Sequence, residues 1–588
     1  MVLTLRRFHR LLMDNVKMYK MLSYLPITQW LPHYRQGDAT QDSLAAVIVT
    51  LMLIPQSLAY AMVAGLPPVY GLYASILPLL VYTILGTSKT LSVGPVAVVA
   101  LMTMETLTEM YPMGSPEYIN SASLLAMLSG MVLLFMAIFR LGFLTHFISH
   151  PVLSGFMTAS GILIIISQTK HLLGVTAQGD NAVELLIHLI QQVPTSNVYT
   201  AGIGFGSLIA LIMSRRFLSA GLMKIGIASH IAKQIVKLSP VMVMLLCIAI
   251  VSFFQLNHDG VRVVGQIPSG LPVLAVPTFS LTDLYTLLPA AIIISLVGFV
   301  ESASVGQTLA AKRKEKISAN QELIALSGAN IASAISAGFP VTGGLSRSVV
   351  NFDAGASTPL AGALTAVGIS ITALYFTPLF ETLPQSVLAA IIIVAVSSLI
   401  DFKAIVNVWK ESKIDGFSMT ITVLGVLLIN VEIGIVLGVV SAIFLHVMRT
   451  SHPHIAIVGL MPNSQHFRNI ARHQVETSSH IVTIRIDESL YFVNAQYLED
   501  KIPQYITQFP AAKHLILMCS GVNDIDVSAL DSLKKIISDL SERDVVVHLS
   551  EVKGPVMDKL IHCHFLETLT GDVYMDQFTA YQSIKIKV

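Results

Sequence analysis

Phe339-Pro340-Val341-Thr342-Gly343-Gly344-Leu345-Ser346-Arg347-Ser348 interrupts a run, Leu323 to Phe352, whose only ionisable side chain is Arg347. An unbroken helix does not choose a proline, two glycines and an arginine at this density. In a bilayer, broken backbone survives only where it is buried in protein or lines a cavity, and an intramembrane arginine is costly. The stretch therefore reads as a half-helix beginning near Ser346, whose free amides and cation face a polar site. Such a site attracts anions.

The surrounding chain supports a membrane setting. Of its 588 residues, 54% are hydrophobic and 12% charged, with a formal net charge of +1 and a mean hydropathy of +0.71. This is far from a soluble globular average, and the near-zero charge excludes a nucleic-acid footprint. Cys247, Cys519 and Cys563 have no metal-ligand or disulfide spacing, and the 18 histidines show no zinc pattern. No phosphate-binding loop is present to support ATP-driven pumping, so an ion gradient must supply the energy. The basic N-terminus, with Arg6, Arg7, Arg10, Lys17 and Lys20, does not read as a secretory signal. Residues 1–42 are expected to form a cytoplasmic arm, with an amphipathic helix lying on the membrane surface.

Apolar runs of spanning length occur near 43–64, 69–86, 119–139, 148–168, 199–214, 239–255, 286–304, 358–378, 384–400, 416–430 and 433–448. Weaker ones lie at 91–107, 321–338 and 343–352. Hydropathy supports roughly 11 to 14 crossings. The connections 215–237, 312–316 and 401–415 concentrate lysine and arginine, whereas 108–118 has neither. Placing the basic loops inside puts both termini in the cytoplasm and makes the count even, which fits fourteen. The transport domain is expected over 43–450, as repeats near 43–256 and 285–450. A linker is expected over 451–470 and a soluble α/β domain over 471–588. In that domain we expect strands at 481–486, 490–493, 514–519 and 544–549, and helices near 495–508, 527–541 and 555–562.

A second break stands in the first half, where Ser92-Val93-Gly94-Pro95-Val96-Ala97 opens an apolar helix. Paired broken segments in corresponding positions point to the binding site of an inverted-repeat transporter. Two facing helix N-termini would present amides and positive dipole ends to one anion. Gln56 stands 38 residues before Gly94, and Glu301 stands 42 residues before Gly343. Each falls in the first helix of its half. Glu301 precedes Lys312 by 11 residues, about 16 Å along a helix and so midway through a core of roughly 30 Å. An unpaired carboxylate at that depth favours its neutral form and suits proton coupling; permanent pairing with Arg347 or with helix amides is the structural alternative. Gln56 and Tyr60 offer neutral donors to an oxyanion, or contacts between helices. In the soluble domain, Asp526 is expected to cap a helix, leaving Ser528 at its start as a possible phosphorylation site.

The residues quoted so far carry a resemblance. The chain resembles the SulP sulfate permease family, called solute carrier family 26 in animals. Its landmarks here are PQSLAYAMVAGLPPVYGLYAS (55–75), SVGPVAVVALM (92–102), NQELIALSGANIASAISAGFPVTGGLSRS (320–348) and LYFVNAQYL (490–498). The resemblance implies a uracil-permease-like fold of 7+7 inverted repeats, a core domain moving against a scaffold, a C-terminal STAS domain and a homodimer. It also implies an anion site between the third and tenth spans, lined by the first and eighth. On this chain the site residues would be Gln56, Tyr60, Gly94, Pro95, Val96, Ala97, Glu301, Gly344, Leu345, Ser346 and Arg347. Members with an acid at the position of Glu301 look proton-coupled. Sodium-coupled bicarbonate members are also similar, and Ser302 and Ser304 keep sodium open. Val527 and Ala529 replace the usual neighbours of the phosphorylatable serine, which weakens the case for Ser528.

The expectation is a secondary transporter, not an enzyme, carrying a small inorganic anion across a bacterial cell (inner) membrane without a cofactor. Proton-driven sulfate uptake by elevator-like alternating access comes first. Sodium-coupled bicarbonate transport, proton-coupled C4-dicarboxylate transport, a passive anion channel and a STAS signalling scaffold stand as alternatives. The STAS domain offers a place for a cytoplasmic protein partner.

Overall fold

The computed structural model describes residues 25–587 except 147, 148, 178, 180 and 279. The expected amphipathic arm over 1–24 lies outside the described residues. The chain divides into two units, Met1–Ala442 and Ile443–Val588.

The first unit is helical. In chain order it contains α1 (Gln36–Val63) and α2 (Val69–Leu85), then a two-residue strand β1 (Val93–Gly94) leading into α3 (Ala97–Thr108). There follow α4 (Pro116–Ile138), α5 (His150–Leu173), α6 (Val198–Met213) and α7 (Ser239–Phe254). The second half repeats this order with α8 (Leu281–Lys312), α9 (Ala319–Ile335), strand β2 (Thr342–Gly343), α10 (Leu345–Asp353) and α11 (Leu360–Ile371). It closes with α12 (Gln385–Val396), α13 (Lys413–Leu428) and α14 (Val431–Thr450), whose residues from Ile443 on belong to the second unit. Among the described residues eight helices are long and apolar enough to cross a membrane, and three shorter apolar ones accompany them.

Local sequence explains the helix limits. Ser115 accepts a hydrogen bond from the Tyr118 amide ahead of α4, with Pro116 at the first helical position. Ser280 and Asp283 form a capping box at α8, and Gly174, at φ 72°, ends α5. The helix α1 starts at Gln36, inside the segment expected to be the arm. Hydropathy misses its first turns because they are polar. Asp42 is nevertheless fully buried, since its carboxylate accepts the Ser357 and Thr358 amides and the Thr358 hydroxyl. Helix α2 crosses α1 so closely that a Cβ at Gly71 would lie 1.8 Å from the Ser57 carbonyl oxygen.

The two breaks meet. β1 and β2 pair antiparallel, Val93 opposite Gly343 and Gly94 opposite Thr342. The helices that follow them, α3 and α10, therefore leave the crossing in opposite senses. Extended backbone in a bilayer interior needs partners for its N–H and C=O groups, and here each break supplies them to the other. Side chains complete the set. The Gly343 amide donates to Ser302 Oγ at 2.8 Å, and the Ser92 amide to Ser348 Oγ at 3.0 Å. Asn330 accepts from the Val341 amide and donates to its carbonyl, both at 2.9 Å.

The second unit is an α/β domain with a six-stranded sheet of order β4-β3-β5-β6-β7-β8. Its strands are β3 (Ile455–Leu460), β4 (Phe467–Asn469), β5 (Ile481–Ile486), β6 (His514–Met518), β7 (Val546–Ser550) and β8 (Val573–Tyr574). β5 to β8 are parallel, and β3 is antiparallel to β5. The helices α15 (Phe492–Thr507), α16 (Val527–Ser541) and α17 (Gly554–His562) connect them, and α18 (Gln577–Lys587) follows β8. One core joins Ile484, Leu515 and Val547 of the sheet to Ile502, Leu533 and Ile536 of the helices. A smaller one packs Ala580 and Ile584 of α18 beside Val458 and Ile516.

Two expectations are corrected here. The stretch 451–470 is not a free linker, because it contributes β3 and β4; its apolar run Ile455–Val458 was obscured by the flanking histidines and prolines. The expected strand 490–493 makes only a bridge between Leu490 and Ile525. Helix α15 begins at Phe492, where Asn494 accepts from the Tyr491 amide.

Candidate functional site

The crossing of β1 and β2 sets two short helices with their N-termini at one place. Neither start is capped by its own side chain: Val96 at α3 and Gly344 at α10 make no side-chain cap hydrogen bond. The first-turn amides of both are thus left to whatever occupies the space before them.

That space is a cavity lined by Gln56 and Tyr60 of α1, Pro95 to Ala97, Glu301 of α8, Gly344 to Arg347, and Ala395, Val396, Ser398 and Leu399. Of the expected site residues, only Gly94 does not line it. Gly94 has a different part: a Cβ there would lie 3.2 Å from Arg347 Nη1, and one at Gly344 would lie 2.9 Å from Nη2. The two glycines let the guanidinium lie across the crossing.

Arg347 and Glu301 are buried, with 2% and 5% of their surface exposed. Arg347 Nη1 donates to the Pro95 carbonyl at 2.7 Å, so the cation of the second break is held by the first. Its Nη2 has no hydrogen-bond partner, and neither has Glu301 Oε2. Permanent pairing of the two, the structural alternative for Glu301, is not what this arrangement shows. A buried charged group left without a partner costs several kcal/mol, and a bound anion with a proton on the carboxylate would relieve both atoms at once.

Glu322 offers the contrast. Fully buried in α9, it accepts from Tyr82 Oη at 2.7 Å and from the Thr87 amide at 3.0 Å. It fastens α9 to α2, and nothing in the sequence pattern separated it from a functional acid. Ser302 is likewise committed to structure. Its Oγ accepts from Gly343 and lies 2.6 Å from Thr342 Oγ1, while Ser304 faces outward on α8.

The cavity wall at 395–399 was missed. It closes a helix that is apolar from Val387 to Val396 and shows only the serine pair Ser397-Ser398 at this end. In the soluble domain Asp526 caps α16 as expected, accepting from the Ala529 amide at 2.8 Å, and Ser528 stands exposed in the first turn.

The family model described as "Sulfate permease family" matches residues 40–422, and that of the STAS domain matches 472–578. The chain belongs to the sulfate permease family. Membership in a permease family makes it a membrane transporter and not an enzyme. Among its relatives, "Sulfate transporter 4.1, chloroplastic" of Arabidopsis thaliana is 34% identical, over 89% of this chain and 77% of that protein. "High affinity sulfate transporter 2" of Stylosanthes hamata is 31% identical, over 94% of this chain and 84% of its own. Among solved structures, that of SLC26A9 superposes with a TM-score of 0.89 at 22% identity, covering 98% of this chain and 95% of that one. The transmembrane domain of the cyanobacterial bicarbonate transporter BicA gives 0.58 at 19% identity, covering 70% and 98%. These two likenesses establish the fold: a helical transmembrane domain of the solute carrier 26 type, followed here by the STAS domain.

Proposed function

We propose that this permease imports a small inorganic oxyanion, sulfate first, together with protons. The observation that carries the reading is the single cavity where two uncapped helix N-termini, Arg347 Nη2 and Glu301 Oε2 converge without partners. Sulfate brings no proton of its own, so it needs donors on every side. Amides, Gln56, Tyr60 and Arg347 supply them, and a protonated Glu301 supplies one more. Proton uptake also removes the negative charge that would oppose the anion.

Size supports an inorganic substrate. The volume open to the centre of a water molecule is about 40 Å³, against a need of about 10–15 Å³ for one water. A tetrahedral oxyanion suits that space better than a C4-dicarboxylate. The sulfate transporter names of the relatives support the same choice. Protons are favoured over sodium because the Ser302 hydroxyl is spent on β2 and Ser304 points away.

In this reading the fourteen helices cross as two inverted sets of seven and work by elevator-like motion in a homodimer. The antiparallel crossing of β1 and β2 supports the inversion. The basic connections support a cytoplasmic side for both termini and for the STAS domain with any protein partner it binds. Ser528 is available as a regulatory position. The matched relatives reported above are plant proteins, so the expected bacterial membrane draws no support from them.

The test is uptake of labelled sulfate, bicarbonate and fumarate into proteoliposomes under imposed proton or sodium gradients. Sulfate accumulation driven by an inward proton gradient is expected. Accumulation driven by sodium and indifferent to pH would overturn the coupling, and a gradient-independent leak would favour a channel.

A further inference from the structure

A second cation approaches the cavity from outside the expected site. Arg215 lies just past α6 in a π-helical turn, Ser214–Leu218, a local irregularity that recurs at functional sites. Its Nη1 donates at 2.8 Å to the Val394 carbonyl, in the last turn of α12. The next two residues, Ala395 and Val396, line the cavity. Ser397 Oγ donates to the same carbonyl at 2.9 Å.

Capping a helix C-terminus is an ordinary use of arginine and requires no ligand. Here the capped turn is the wall of the cavity, and Arg215 opens the basic connection 215–237. We propose that Arg215, held on the Val394 carbonyl, is a specificity residue that favours doubly over singly charged anions. The proposal rests on the cavity being the anion site. A fixed charge stabilises a ligand in proportion to the ligand's own charge. Loss of the charge therefore costs a dianion the square of the factor it costs a monoanion of the same shape. Loss of a purely structural clamp costs both the same factor.

The test is binding of labelled sulfate to the purified full chain, with displacement by perchlorate, a tetrahedral monoanion, at constant ionic strength. Arg215→Gln is expected to weaken perchlorate about threefold and sulfate about tenfold, and Arg215→Lys to restore most of the ratio. Arg215→Met, which keeps the aliphatic stem, replaces the glutamine variant should that fail to fold. Equal losses for the two anions, or none, would overturn the proposal. Arg347→Gln serves as the reference. If it leaves sulfate binding unchanged, the cavity reading falls and this inference with it; if it weakens binding while the Arg215 variants do not, only the inference falls.

Discussion

The two units differ in where buried polar atoms are left without partners. Among the described residues, every buried side-chain polar atom without a partner, Glu301 Oε2 and Arg347 Nη2 included, lies in the transport unit. In the soluble unit charges are matched in pairs: Arg485 with Asp487, Lys535 with Glu499, Lys559 with Asp524. A domain built for stability satisfies its polar groups. A domain built to bind and release a charged solute keeps some of them waiting. The transport unit repeats the contrast within itself, since the first half places Gln56 and Ala97-Val98-Val99 where the second places Glu301 and Leu345-Ser346-Arg347. At these positions only the second half carries ionisable side chains.

The strongest way to break this comparison is to make the halves alike. Glu301→Gln should abolish proton-driven sulfate accumulation while sparing sulfate exchange; undiminished uphill uptake in proteoliposomes would remove Glu301 from coupling. Next, Arg347→Gln should raise the sulfate dissociation constant about a hundredfold, the scale of one charged hydrogen bond in a buried site. Equilibrium binding reads this directly, and an unaltered constant would overturn the cavity as the anion site.

Gly344→Ala sharpens the picture without touching a charge. Its Cβ would press on Arg347 Nη2 at 2.9 Å, so a loss of about tenfold in sulfate affinity is expected, with folding intact by size-exclusion profile. Gly94→Ala, at 3.2 Å from Nη1, should cost less, and a reversed order would mean that the guanidinium does not lie as described.

The smallest effect belongs to the paired charges of the soluble unit. Burial pushes the Asp487 carboxyl up, but hydrogen bonds and charge from Arg485 and His454 outweigh it and hold it below the usual range. Its contribution to stability is therefore complete above the ordinary carboxylate value, about 3.9, and is lost as the pH falls through the lower folded value. Asp487→Asn should cost about 1 kcal/mol at neutral pH and leave sulfate affinity unchanged. Hydrogen exchange of β5 in the full chain measures the first, and the gap from the parent should close in strong acid. An altered affinity would show that these charges do more than stabilise.

The site was legible in the sequence wherever chemistry forced a rare residue into an apolar setting. Gly94-Pro95, Glu301 and Gly343 to Arg347 break local rules, and such breaches mark function. What stayed hidden has no such mark. The wall at Ala395 to Leu399 is apolar like any span, and Glu322 looks like Glu301 until its donors are counted. The pairing of β1 with β2 joins segments far apart in the chain, beyond the reach of any local pattern. The same limit turned β3 and β4 into an expected linker, since a short strand is recognised by its neighbours more than by itself.

That pairing also constrains how the protein is made. Val93 finds its partner in Gly343, 250 residues later, which is roughly 10 to 50 s of synthesis. Until then the first break carries open amides and carbonyls that lipid cannot satisfy. The first break must therefore wait, shielded by the insertion machinery or held at the interface, until β2 arrives. A ribosome stalled between the halves would leave a chain that is half inserted and unable to settle.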